Sequence, residues 1–190
     1  MTAKNSTNVG HHLMIRLFTI LWSVVFIMAD AAGGASARDL ENTLVIELKD
    51  GNVVIELFPD DAPDHVARIK ELAREEFYDG VIFHRVIPGF MAQTGDPDGT
   101  GRGGSDKPDL KAEFNARPFD RGTVGMARTQ NPHSANSQFF ICFAPAPHLN
   151  RQYTVWGQVV EGMELVDKIT PGEPPSNPDK MITVRVAADL

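Results

Sequence analysis

The chain reads as a mainly β domain, a closed antiparallel barrel capped by two α-helices. Three observations predict it. Short runs rich in Val, Ile, Leu and Phe recur along the sequence, bounded by turn residues. Sixteen glycines and thirteen prolines supply those turns. Two stretches carry apolar residues at helical spacing and provide the caps. Many short strands with two helices fit a barrel whose edges pair with one another. At 190 residues and 42% apolar content, one domain with a sizeable core is expected.

The elements follow in order. Residues 43–48 and 52–58 are apolar, β-branched runs, and Asp50-Gly51 between them signals a hairpin. Glu47 and Glu56 fall at solvent-facing positions, and Pro59 ends the second strand. A helix comes next. Asp60 or Asp61 is the expected cap, and Pro63 suits the first turn. Val66, Ile69, Leu72 and Ala73 form an apolar stripe. Arg68, Lys70 and Arg74 take the other face and the C-terminal end, where cations suit the dipole. Asp79-Gly80 is expected to stop this segment, and the helix to plug one end of the β structure.

Residues 81–83 and 86–87 are short extended pieces. Residues 99–107 hold Gly99, Gly101, Gly103 and Gly104 and read as a mobile surface loop. The stretch lacks the Lys-Ser/Thr ending of a phosphate loop, and no helical pattern follows it. Residues 122–127, 138–143 and 155–160 are further strands. Residues 161–169 carry a second helical stripe from Met163, Leu165, Val166 and Ile169. Residues 181–186 alternate and form the last strand.

Residues 1–37 read as a secretory signal peptide, and 38–190 as the mature domain. Arg16 precedes an apolar run from Leu17 to Ala29, and Ala35-Ser36-Ala37 offers a cleavage site. The run is short of the about 20 residues that span a bilayer. An uncleaved anchor is the second reading, and Met14 is an alternative start. A cleaved leader implies a periplasmic protein with no stable membrane association. Net charge is −7 with no Lys/Arg cluster, which argues against a nucleic-acid partner. The single cysteine, Cys142, excludes an internal disulfide and a CxxC metal site. It lies in an apolar run and is expected to be a small buried hydrophobe.

Two stretches carry the chemistry. Residues 83–96 read FHRVIPGFMAQTGD, and residues 136–142 read NSQFFIC. The first places a permanent cation, Arg85, near the apolar pair Phe90 and Met91 and the amide Gln93. The second adds Gln138 and two aromatics. An enzyme acting on the bond before a proline needs this mixture. The pyrrolidine ring needs an apolar slot, and the imide nitrogen needs a donor once its resonance is lost. Alternation in the second stretch puts Gln138 and Phe140 on one face, with Phe139 and Ile141 on the other as core.

The two stretches resemble the signature segments of the cyclophilin family of peptidyl-prolyl cis-trans isomerases, and the likeness runs from about Asn42 to the C-terminus. It implies the eight-stranded cyclophilin barrel. It also implies an enzyme without cofactor or metal, acting on proline-containing segments of unfolded or partly folded polypeptides, which the leader would make exported ones. Monomer is the default, as no amphipathic interface is obvious. Arg85 takes the catalytic place. Phe90, Met91, Phe140 and Leu149 would line the proline pocket. Gln93 would hold Arg85 or a substrate carbonyl, and Gln138 would bond the peptide backbone. Ala127 and Arg128 match the segment that pairs with the substrate main chain, where the family often has Asn in place of Arg128. His148 stands where the family's cyclosporin-contacting tryptophan stands, and Tyr153 where a pocket histidine is common. The implied consequence is weak cyclosporin binding with isomerase activity kept.

Other readings have less support. A proline-directed binding module needs the apolar pocket without Arg85. A hydrolase needs a nucleophile and base, for which Ser134 and Ser137 near His133 are the sole candidates. His65, His84, His133 and His148 show no metal-ligand spacing.

Overall fold

The structure, a computed structural model, describes residues 39–190. The proposed leader lies outside the described residues. The strands are β1 (Thr43–Leu48), β2 (Gly51–Leu57), β3 (Arg85–Ile87), β4 (Met91–Thr94), β5 (Thr123–Met126), β6 (Phe139–Cys142), β7 (Val155–Glu161) and β8 (Thr183–Val186). The helices are α1 (Pro63–Arg74) and α2 (Met163–Val166). All ladders are antiparallel, in the order β3-β4-β6-β5-β7-β2-β1-β8.

That order corrects the expectation of a closed barrel. Strands β3 and β8 are the two ends of the sheet and do not pair, so the sheet curls and stays open. The reason is local. β3 is three residues long, and irregular segments occupy its outer side. Gly80 N donates to Met181 O at 2.7 Å, Phe83 N to Asp179 O at 2.9 Å, and Val86 N to Gly172 O at 2.8 Å. The last of them occupies the Val86 donor of β3 that a β3–β8 ladder would otherwise use.

Several boundaries moved by a residue or a turn. Leu48 pairs with Gly51, so the hairpin loop is Lys49-Asp50 and not Asp50-Gly51. Gly51 opens β2 at φ +138°, a value that side-chain-bearing residues rarely adopt. α2 is one turn long, shorter than the stripe over 161–169 suggested. α1 ends at Arg74, and Glu76 at φ 57° turns the chain before Asp79-Gly80 is reached.

Neither Asp60 nor Asp61 caps α1. Ala62 is the N-cap and offers no side-chain acceptor. The Glu113 carboxylate takes the role from a distant segment, accepting from Asp64 N and His65 N, both at 3.1 Å. A carboxylate there also suits the positive end of the helix dipole. Arg68 departs from the solvent-facing expectation. It is buried, and Nη2 donates to Pro108 O at 3.0 Å. Arg74 ties the two ends of the described chain together, meeting Glu41 and Asp189, each at 2.9 Å.

The core splits between the sheet faces as strand alternation requires. Phe139 and Ile141 join Trp156, Tyr78 and the stripe of α1 in the large cluster. Phe139 meets Tyr78 edge-on at 5.6 Å and Trp156 at 5.4 Å. Phe140 and Cys142 face the other way, into a smaller cluster with Met91, Phe119 and Leu149. Burial among apolar groups pushes the Cys142 thiol up to about 12, so it is an inert packing residue.

The 99–107 loop is pinned. Asp96 accepts from Asp98 N and Thr100 N at 2.9 Å and Gly101 N at 2.6 Å. Burial alone would raise this carboxyl. The amide donors outweigh it and hold Asp96 below the usual carboxylate range.

Candidate active site

The smaller cluster floors an open cavity of about 360 Å³. Its position follows from sheet register. Arg85 pairs with Gln93 across β3 and β4, Gln93 with Phe140 across β4 and β6, and Phe140 with Gly125 across β6 and β5. Directly paired residues project to the same face, so one rung of the sheet carries a cation, an amide, an aromatic and a gap. Sequence proximity explains Arg85 and Gln93. Only the ladder brings Phe140 beside them.

Met91, Phe140 and Leu149 form the buried apolar floor, and Phe90 and Tyr153 pack beside them. Phe140 stacks on Phe119 at 5.6 Å and meets Tyr153 edge-on at 5.8 Å. His148 sits on the short turn Pro147–Leu149 with its ring 5.5 Å from Phe90. Ala127 and Arg128 complete the wall.

Arg128 is folded back on its own surroundings. Its guanidinium lies 4.4 Å from the Tyr153 ring centre, and it donates to Thr129 O and Gln152 O, both at 2.8 Å. Those bonds spend part of its fork on the protein itself. Gln138 lies outside this cavity, in an adjoining one of about 540 Å³ that shares Gln93, Ala127 and Arg128. The two make one continuous groove. All eleven sequence-predicted site residues therefore line that groove, ten on the apolar half and Gln138 on the polar half.

Arg85 opens β3 with its side chain partly exposed on the cavity wall. Nη1 approaches Gln93 Oε1 at 3.4 Å. Gln93 Nε2 donates to Gln138 Oε1 at 2.9 Å, and Gln138 Nε2 donates to Gly103 O at 2.8 Å. A backbone carbonyl can only accept, so this last bond fixes the direction of the whole relay. Gln138 must present its oxygen to Gln93, and Gln93 must present its oxygen to Arg85. The relay therefore links the guanidinium to the 99–107 loop.

Three participants escaped the sequence reading. Glu173 accepts from Arg85 Nε at 2.7 Å. Phe119, in the irregular segment before β5, carries no periodic signal. Asp96 closes the first motif, but nothing in its spacing announces a loop organiser. His84 precedes Arg85 in the first motif. It is buried, and neither ring nitrogen finds a hydrogen-bond partner among the described residues. Burial holds it below the ordinary histidine value, the nearby Asp96 charge working the other way.

No nucleophile–base pair forms from the serines. Ser137 is buried and donates to Gly95 O at 2.7 Å, and Ser134 donates to Asn131 O at 2.8 Å. His133 Nδ1 accepts from Ala112 N at 3.1 Å. Trp156 is packed in the large cluster and plays no part in the groove.

Comparison with known proteins agrees with this geometry. Residues 43–187 match the model of the cyclophilin type peptidyl-prolyl cis-trans isomerase family. The chain is 56% identical over 181 residues to a probable peptidyl-prolyl cis-trans isomerase of Brucella suis, covering 87% of this chain and 92% of that one. It is 44% identical over 142 residues to peptidyl-prolyl cis-trans isomerase B of Bacillus subtilis, covering 73% and 94%. A crystal structure of a cyclophilin from Hirschia baltica superposes with a TM-score of 0.74 at 31% identity, covering 80% of this chain and 76% of that one. A cyclophilin type isomerase from Cryptosporidium parvum, crystallised in the presence of the dipeptide Ala-Pro, gives 0.71 at 27% identity, covering 76% and 98%. Motifs, open curled sheet, groove and relatives converge, and the chain belongs to the cyclophilin family of peptidyl-prolyl cis-trans isomerases.

Proposed function

We propose that Arg85 drives the isomerisation by donating a hydrogen bond to the prolyl imide nitrogen as the bond twists. The barrier to rotation, about 18–20 kcal/mol, is resonance energy. Halfway through rotation that resonance is lost, and the nitrogen gains a lone pair. A donor aimed at it binds the twisted state more tightly than either planar form, which is what acceleration requires. No proton transfer or covalent step is needed. Lowering the barrier by about 7 kcal/mol gives about 10⁵-fold acceleration. A charge-assisted bond in a partly dry groove plus positioning of the ring is of that order.

The observation that carries the reading is the Arg85 guanidinium on the wall of a cavity floored by Met91, Phe140 and Leu149. The proline ring would sit on that floor, with the backbone of Ala127 and Arg128 and the amide of Gln138 holding the flanking chain. Proline-containing segments of unfolded or partly folded polypeptides are the natural substrates for such an open groove. Residues 1–37 have the pattern of an export signal, which supports a periplasmic protein working on newly exported chains. Among the described residues no helix is long and apolar enough to cross a membrane.

Arg85→Ala tests the mechanism. A proline-isomerisation assay is expected to show kcat/KM falling roughly 10²- to 10³-fold. Peptide affinity should stay within a few-fold. Full activity without Arg85 would leave only a proline-binding groove.

A further inference from the structure

We propose that Glu173 is a positioning residue for Arg85, fixing which edge of the guanidinium faces the substrate. The inference rests on the catalytic reading of Arg85. Neither sequence motif contains Glu173, and it lies far along the chain in the segment after α2.

Register puts it there. Val86 and Gly172 form an isolated antiparallel bridge, exchanging two backbone hydrogen bonds at 2.8 and 2.9 Å. One step along each strand, Arg85 and Glu173 face each other. That site is the non-hydrogen-bonded position of an antiparallel pair, where side chains come closest. The contact therefore follows from backbone pairing and not from two long side chains meeting by chance. Glu173 Oε2 accepts from Arg85 Nε at 2.7 Å.

The guanidinium is a planar fork with five donors. Glu173 takes Nε. Gln93 takes one hydrogen of Nη1, at a longer 3.4 Å. Nη2 has no hydrogen-bond partner among the described residues. Two anchors on different edges of a planar group fix its rotation, which leaves Nη2 and the second Nη1 hydrogen for the substrate. With Glu173 removed, the single long bond to Gln93 would leave the plane free to swing.

A carboxylate beside the donor has an opposing effect, because it partly offsets the positive charge that the imide nitrogen meets. Exposure decides between the two. The Arg85 and Glu173 side chains are 40% and 52% exposed, so water screens the charge. Orientation is not screened. The anchoring effect is therefore the larger, and loss of Glu173 lowers turnover.

The experiment measures kcat and KM for isomerisation of an Ala-Pro-containing peptide by Arg85→Ala, Glu173→Ala, Glu173→Gln and the double variant Arg85→Ala/Glu173→Ala. Glu173→Ala is expected to lower kcat roughly fivefold with KM within about twofold. Glu173→Gln keeps a neutral acceptor for Nε and is expected to recover most of that loss. In the Arg85→Ala background, removing Glu173 should change nothing further, because Glu173 acts through Arg85. The thermal midpoint of Glu173→Ala should match the parent chain. An unchanged kcat in Glu173→Ala overturns the assignment. So does an equal loss in the Arg85→Ala background, which would mean that Glu173 only braces its loop. A Glu173→Gln variant faster than the parent chain would show that charge, not orientation, governs and also overturns it. Retained activity in Arg85→Ala sinks the catalytic reading instead. A silent Glu173→Ala beside an impaired Arg85→Ala sinks the Glu173 assignment alone.

Discussion

Gly125 lies directly opposite Phe140 in the β5–β6 ladder, and aromatic rings fill the space its missing side chain leaves. A Cβ at 125 would stand 2.5 Å from Phe119 Cε1 and 2.7 Å from Phe140 Cζ, well inside van der Waals contact. Both rings belong to the packed floor, so neither can swing into open solvent. Gly125→Ala is expected to destabilise the chain by about 1–3 kcal/mol through overpacking. It should also raise KM, since Phe140 lines the groove. Denaturant midpoints and steady-state kinetics on the same sample check both effects.

The Arg85–Gln93–Gln138–Gly103 relay makes a second prediction. Gln93→Leu keeps the bulk and removes both the acceptor for Arg85 and the donor to Gln138. It is expected to lower kcat roughly tenfold, in line with losing one preorganised polar contact. Peptide affinity should change less than kcat. An equal rise in KM would mean that Gln93 binds substrate and does not orient Arg85.

His65 sets an acid limit on stability. Its Nδ1 lies 2.6 Å from Glu113 Oε2, so Nδ1 carries the proton and the buried Nε2 is bare and unpartnered. Burial pushes its pKa below the ordinary 6.5, against the pull of Glu113. Below pH 6.5 the unfolded chain takes up a proton that the folded chain still refuses. The unfolded state then binds more protons, so stability falls as pH falls through that window. The slope is at most about 1.4 kcal/mol per pH unit. Urea unfolding at pH 7.5, 6.5 and 5.5 should show the decline, and His65→Gln should flatten it.

His148 predicts weak cyclosporin inhibition. An exposed imidazole on the groove rim offers less apolar area than the indole that the family resemblance implies for a cyclosporin contact at this position. His148→Trp is expected to tighten inhibition roughly 30-fold, the worth of an aromatic hot spot. Titration of the drug against isomerase activity of both chains measures it. Nanomolar inhibition of the parent chain would contradict the prediction.

Arg85, Phe90, Met91, Gln93, Gln138 and Phe140 were legible because they fall in two short motifs, while Ala127, Arg128, His148, Leu149 and Tyr153 came through the family resemblance. That Phe139 and Phe140 face opposite ways, into different clusters, followed from period two. The open sheet was not legible, since nothing in Arg85–Ile87 or Thr183–Val186 states whether the two edges meet. Irregular segments around Gly172 and Asp179 decided that, and they carry no periodic pattern. The helix cap failed for a related reason. Local rules offered Asp60 and Asp61, while the acceptor came from Glu113, about fifty residues away. Glu173 was hidden in the same manner, because a single bridge from β3 to the irregular segment at Gly172 brought it to Arg85. Propensity reads neighbours along the chain and is blind to partners delivered by tertiary pairing.

Register sets the reactive array across four adjoining strands, and the connections supply Leu149, Tyr153 and Glu173 around it. A relative's version of the 143–154 or 170–180 connection would therefore carry its own pocket wall or guanidinium anchor with it, so client preference and turnover would change together. A slip of β4 against β6 by a single residue would scatter cation, amide and aromatic in one stroke. The ladder decides where the reacting groups stand, and the connections decide how the groove around them is finished.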